Sequence, residues 1–118
     1  MQKTISISYG FNLNKTIDKI IKQQVDIPAN IAFALYKLHK QLTEMEEFVF
    51  QRLSMVCGDN IDFNNMTENQ KILYFSVFDS EINIDVEDDI DIEKVVKNNK
   101  INLTIQDIDS LNNIFVFR

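Results

Sequence analysis

Hydrophobic and polar positions change period along this chain, and each change marks an element. Over residues 3–9 they alternate, with Ile5, Ile7 and Tyr9 on one side and Thr4, Ser6 and Ser8 on the other, the period of a short strand. Gly10 then permits a turn. Leu13, Ile17, Ile20 and Ile21 follow at the spacing of an amphipathic helix over about residues 13–24.

Pro28 is pre-set for the first turn of a second helix, and Asp26 is its candidate cap. Nothing breaks a helix from there to Val56, and Gly58 supplies the stop. This is a helix of about 28 residues, roughly 42 Å long. Ile31, Leu35, Leu38, Leu42, Met45 and Val49 form one apolar stripe, interrupted at Arg52 before Val56. Phe33, Tyr36, Phe50 and Leu53 form a second set. A helix with two apolar sets is either the spine of the fold or a surface packed on another chain. In the second case Leu35, Leu38, Leu42, Met45 and Val49 are the oligomer seam.

Thr67 and Gln70 have the spacing of a capping box. The helix they open carries Ile72, Leu73, Tyr74, Phe75, Val77 and Phe78, apolar on most sides, which predicts that it is largely buried. Residues 81–93 alternate again. Odd positions are Glu81, Asn83, Asp85, Glu87, Asp89, Asp91 and Glu93; even positions are Ile82, Ile84, Val86, Asp88, Ile90 and Ile92. Period two places one apolar face inward and an acidic face outward, with a turn or bulge at Asp88 splitting two short strands. Val95 and Val96 are too short a signal to assign. Thr104 and Asp107 repeat the helix-start spacing ahead of Ile105, Ile108, Leu111 and Phe115, which predicts a terminal helix ending near Phe117. The elements together predict an α+β fold: a long central helix, two or three shorter helices and a small antiparallel sheet, in a single domain over residues 1–118.

Composition fits that picture. At 118 residues and 13.8 kDa the chain has the size of one domain. Apolar residues at 45% and charged residues at 25% are globular proportions. A lone cysteine, Cys57, excludes an internal disulfide and fits a reducing compartment. No apolar run approaches the roughly 20 residues of a membrane span. The start, Met1-Gln2-Lys3-Thr4-Ile5-Ser6, has no apolar stretch of a signal peptide behind its lysine. Ile (17), Asn (13) and Lys (10) are over-represented while Gly, Ala, Pro and Arg are scarce, the bias of AT-rich coding.

The net charge of −6 is unevenly spread. Residues 1–40 carry net +4, residues 41–93 net −12 and residues 94–118 net +2. The acidic middle either faces the basic part within the fold or an oligomer, or presents a field to a basic partner.

Three groups are candidates for chemistry. The acidic row of Glu81, Asp85, Glu87, Asp89, Asp91 and Glu93 is the first. Alternate carboxylates on a strand stand about 6.6–6.8 Å apart, too spread for one ion to gather, and no glycine bends the row. It reads either as a solvated face that blocks edge pairing or as a docking surface for a basic partner, including one that reads phosphates. His39, the only histidine, has no nucleophile in a recognisable motif beside it. Cys57 closes a helix at its C-terminal end, where the dipole disfavours a thiolate. Lys15, Lys19 and Lys22 share one helix face, with Lys37 and Lys40 on the next, a thin basic set for a chain of pI about 4.6. No phosphate loop, zinc spacing or nucleophile elbow is present, so neither an enzyme, a cofactor, a metal site nor direct nucleic-acid binding is expected.

Three stretches carry a resemblance: residues 28–48 (PANIAFALYKLHKQLTEMEEF), residues 74–86 (YFSVFDSEINIDV) and residues 103–115 (LTIQDIDSLNNIF). Their order of long helix, second helix, acidic alternating strand and closing helix that starts Leu-Thr resembles small uncharacterised proteins of tailed bacteriophages, over about two-thirds of the chain. The strand at residues 3–9 lies outside it, and it carries no catalytic residue. The resemblance implies a phage protein in the bacterial host cytoplasm or the virion. The expected function is a non-enzymatic structural or assembly component of the virion. It would act through contacts with itself, as a homo-oligomer, or with other phage or host proteins, and not with a membrane. The alternative is an acidic inhibitor that docks on a host nucleic-acid-binding or defence protein.

Overall fold

The N-terminal strand and the first helix share a residue. In the computed structural model, which describes residues 1–23, 26–58, 62–87 and 90–115, strand β1 runs Gln2–Ser6 and helix α1 follows at once as Ile7–Lys22. Ser6 ends the strand and caps the helix, its Oγ accepting from the Tyr9 N–H at 3.1 Å. Ile7 and Tyr9 are therefore helical, and the predicted strand stops three residues early. Gly10 is not a turn. It lies buried inside α1, where a Cβ would stand 2.9 Å from Met45 Sδ. Its missing side chain lets α1 approach the neighbouring helix closely.

That neighbour, α2, spans Ala29–Cys57. Its 29 residues, about 44 Å of helix, set the longest dimension of the molecule, 48 Å. Pro28 is the N-cap, and its carbonyl accepts from the N–H groups of Ile31 and Ala32 at 3.0 Å each. No side chain caps the helix, so Asp26 does not have the role expected of it. Gly58 ends the helix with φ +79°, a conformation that favours glycine.

A 3₁₀ turn at Phe63–Asn65 leads to helix α3, Glu68–Asp79. Both halves of its capping box form: Gln70 N–H donates to Thr67 Oγ1 at 3.2 Å, and Thr67 N–H donates to Gln70 Oε1 at 2.9 Å. The helix is not largely buried. Only Val77 is fully buried, whereas Ile72 and Phe75 are 66% and 53% exposed. It packs along one side, with Leu73, Tyr74 and Phe78 half-covered.

Strand β2 is Glu81–Asp85, antiparallel to β1, with Ile5 opposite Ile82 and Gln2 opposite Asp85. Gln41 of α2 closes its free edge like a short piece of strand: its Nε2 donates to the Asp85 carbonyl and its Oε1 accepts from the Asp85 N–H, both at 2.8 Å. The acidic segment thus holds five strand residues where thirteen alternate in sequence. Beyond it, Asp91 caps helix α4, Ile92–Asn98, accepting from the Lys94 N–H at 3.1 Å. Val95 and Val96 belong to that helix.

Helix α5 runs Ile105–Asn112 behind the Thr104–Asp107 capping box, five residues short of the expected end. Its inner side is not the predicted stripe. Leu111 and Phe115 are buried, but Ile105 is 88% exposed, and Asp107 and Ser110 turn inward instead. The fold is α+β, with four shorter α-helices around α2 among the described residues. One apolar core runs through every helix and both strands, with Leu13, Ile17, Leu38, Leu42, Leu53, Ile92 and Leu111 at its centre.

Candidate functional site

The inner stripe of α2 is consumed by that core. Leu35, Leu38, Leu42, Met45 and Val49 are all buried, Leu42 completely, on the side that meets α1, α3 and β2. Burial against the chain's own elements leaves them no surface for a second chain, so the oligomer seam does not lie there. The opposite side of α2 presents Phe33, Lys37, Lys40, Glu44, Glu47 and Gln51, all exposed.

The acidic row is divided among three settings. Glu81 and Asp85 are exposed on β2, and Glu87 is exposed just past it. Glu87 Oε1 stands 3.5 Å from Lys37 Nζ across to α2. Asp91 is spent on the α4 cap, and Glu93 pairs with Lys97 at 2.8 Å one helical turn on. Asp89 lies outside the described residues, as does Asp88, where the split into two strands was expected. Six acids on one strand face is therefore corrected: the strand ends at Asp85, Asp91 caps α4 and Glu93 lies within that helix.

Aromatic side chains gather where α1, α2 and α3 meet. A groove of about 570 Å³ is lined by Phe11, Phe50, Tyr74, Phe75 and Phe78, with Lys15 and Asp79 also on its wall. Phe11 is the link between helices, its ring centroid 5.8 Å from Phe50 and 5.2 Å from Phe78. Tyr74 stacks 4.6 Å from Phe78, and Phe63 meets Tyr74 and Phe75 at 5.7 and 5.6 Å. These spacings are those of attractive aromatic pairs. Sequence reasoning missed Phe11, although its place four residues after Ile7 was visible. A smaller hollow of about 270 Å³, lined by Ile20, Ile21, Ile27 and Tyr36 among others, opens between α1 and the start of α2.

The remaining candidates are structural. His39 Nδ1 lies 2.9 Å from Oδ1 of the buried Asn14; an amide oxygen only accepts, so Nδ1 carries the proton. The pair ties α1 to α2. Cys57 is half-buried in the last turn of α2. Lys19 is bound to Asp107 and Lys22 to Asp18, so the basic set on α1 is partly neutralised. Among the described residues no three His, Cys, Asp or Glu groups converge to hold a metal ion, and no helix is long and apolar enough to cross a membrane. No protein family, curated protein or solved structure matches the chain.

Proposed function

We propose that this protein is a non-enzymatic structural or assembly component of a tailed-phage particle, acting through protein–protein contacts. The observation that carries the reading is the apolar surface left open on a strongly charged chain. Phe33, Tyr36, Phe48, Phe50 and Met55 of α2, with Ile72 and Phe75 of α3, are all at least half exposed. The part of this surface gathered in one place, Phe50 and Phe75 on the wall of the aromatic groove, is the candidate contact surface. The pattern resemblance to phage proteins supplies the setting. An antibody against the protein should label particles or assembly intermediates purified from cells that express the chain from its own genome. Label confined to particle-free soluble fractions would overturn the reading.

The alternative, an acidic inhibitor of a host nucleic-acid-binding or defence protein, draws its support from Glu81, Asp85 and Glu87, which are all exposed. Changing these three to Lys should abolish capture of such a partner while the fold is kept; unchanged capture would sink it.

A further inference from the structure

We infer that the outer face of α2 is a self-complementary surface on which a second copy of this chain docks antiparallel. The inference rests on the proposed function's reading that the protein acts through protein–protein contacts, and names the partner as a second copy. Phe33, Lys37, Lys40, Glu44, Glu47 and Gln51 follow one another at alternating steps of four and three residues, which sets them in one line along the helix. All six are exposed, on the side opposite the buried stripe of Leu35, Leu38, Leu42 and Val49. The two lysines come first and the two glutamates after. Two copies paired antiparallel about the level of Leu42 therefore bring Lys37 to the other copy's Glu47, and Lys40 to its Glu44, each contact occurring twice. The same two-fold sets Phe33 against Gln51.

Parallel pairing in register would oppose Lys to Lys and Glu to Glu, so the charge order selects one orientation.

The charge order has no good account within one chain. A lysine four residues before a glutamate, as Lys40 stands before Glu44, is the weaker orientation for pairing along a helix. Among the described residues Lys40, Glu44 and Glu47 join no ion pair, and Lys37 reaches only Glu87, at 3.5 Å. Two free carboxylates and a free ammonium on one solvent-facing line are what a charged antiparallel interface would use.

The test is the absolute mass in solution, by size exclusion with light scattering, with circular dichroism to check the fold. The wild-type chain should be a dimer at low salt and dissociate as salt approaches about 1 M, where the Debye length falls to about 3 Å. Lys37→Glu with Lys40→Glu should give a folded monomer, as should Glu44→Lys with Glu47→Lys, each weakening the dimer at least about tenfold. Mixing the two double variants should restore a dimer, and so should combining all four changes in one chain. A wild-type monomer at every salt overturns the inference but not a role in contacts with other phage proteins. A wild-type dimer untouched by the double variants overturns this surface and leaves self-association standing. Failure of particle labelling, read on a different sample, would strike the proposed function alone.

Discussion

Lys19 of α1 and Asp107 of α5 form the tightest ion pair among the described residues, Nζ to Oδ2 at 2.6 Å. Asp107 is buried and fully engaged. Its Oδ1 accepts from Thr16 Oγ1 at 3.0 Å, and its Oδ2 also accepts from the Thr104 N–H at 3.0 Å. One carboxylate therefore caps α5 and fastens it to α1.

Burial alone would raise the Asp107 pKa. The Lys19 ammonium and the hydrogen bonds from Thr104 and Thr16 outweigh it and lower the value to about 2. A carboxyl depressed in the folded state stabilises above its unfolded pKa of 3.8 and loses that contribution as pH falls from about 4 towards about 2. Because Lys19 is half exposed, the contribution is about 1–2 kcal/mol rather than the full value of the shift. Asp107→Asn should lower stability at pH 7 by about that amount and flatten the acid limb between pH 4 and 2. Urea unfolding midpoints against pH read both; identical acid limbs in the two proteins would refute the assignment.

The two sides of α2 should respond oppositely to substitution. Leu42 is wholly buried, so Leu42→Ala should cost about 2–5 kcal/mol of stability. Leu42→Asp should prevent folding, because it places an unpaired charge in the core. Neither outcome concerns assembly. Lys40→Glu, on the exposed side, should leave the unfolding free energy of the monomer, measured at high salt, within about 0.5 kcal/mol of the wild type. A folded Leu42→Asp protein of smaller mass would return this stripe to the role of a seam.

The fold class, the long helix and the caps at Thr67 and Thr104 were legible because each rests on local spacing. Failures came where local signals admit two readings. Ile5, Ile7 and Tyr9 alternate like a strand, yet Ile7, Gly10, Leu13, Asn14 and Ile17 also fall on one helical side. In the fold Ser6 caps the helix and Gly10 lies close against Met45, so the helical reading holds from Ile7 onward. Asp91 continues a period-two row in sequence but acts as a helix cap, since a short acidic side chain serves either place. Spacing alone also could not say whether the stripe of Leu35, Leu38, Leu42, Met45 and Val49 turns to the chain's own core or to another chain, because both uses keep the same steps of three and four. The aromatic groove joins three helices distant in sequence, and no local pattern reports such a junction.

Gly10 and Met45 should be energetically coupled. Alanine at position 10 gains helix propensity of about 1 kcal/mol, but its methyl group would stand 2.9 Å from Met45 Sδ and 3.1 Å from Met45 Cε. The flexible end of Met45 must shift, and the two effects nearly cancel, leaving Gly10→Ala within about 1 kcal/mol of the wild type. In a Met45→Ala background the obstacle is gone, and the same change should stabilise by about 1 kcal/mol. A double-mutant cycle on thermal or urea unfolding measures the coupling. Additive effects would mean that the two residues do not meet.

Tyr9 ties the first helix to the last: its hydroxyl donates to the Ser110 carbonyl. Burial raises its pKa to about 12, the negative charge of Asp109 adds to the rise, and a hydrogen bond with the Asn113 side chain offsets part of it. A phenol raised in the folded state stabilises fully below its unfolded value of 10.0 and loses that contribution as pH climbs towards about 12. Tyr9→Phe should cost about 0.5–1.5 kcal/mol at neutral pH, since the Ser110 carbonyl loses a donor. The variant should also lack the part of the alkaline decline that begins near pH 10. Unfolding midpoints measured from pH 8 upward in both proteins read the difference. Parallel alkaline limbs would show that the Tyr9 hydroxyl ionises as freely in the folded chain as in the unfolded one, and that α1 and α5 are held together by Asp107 and the apolar core without it.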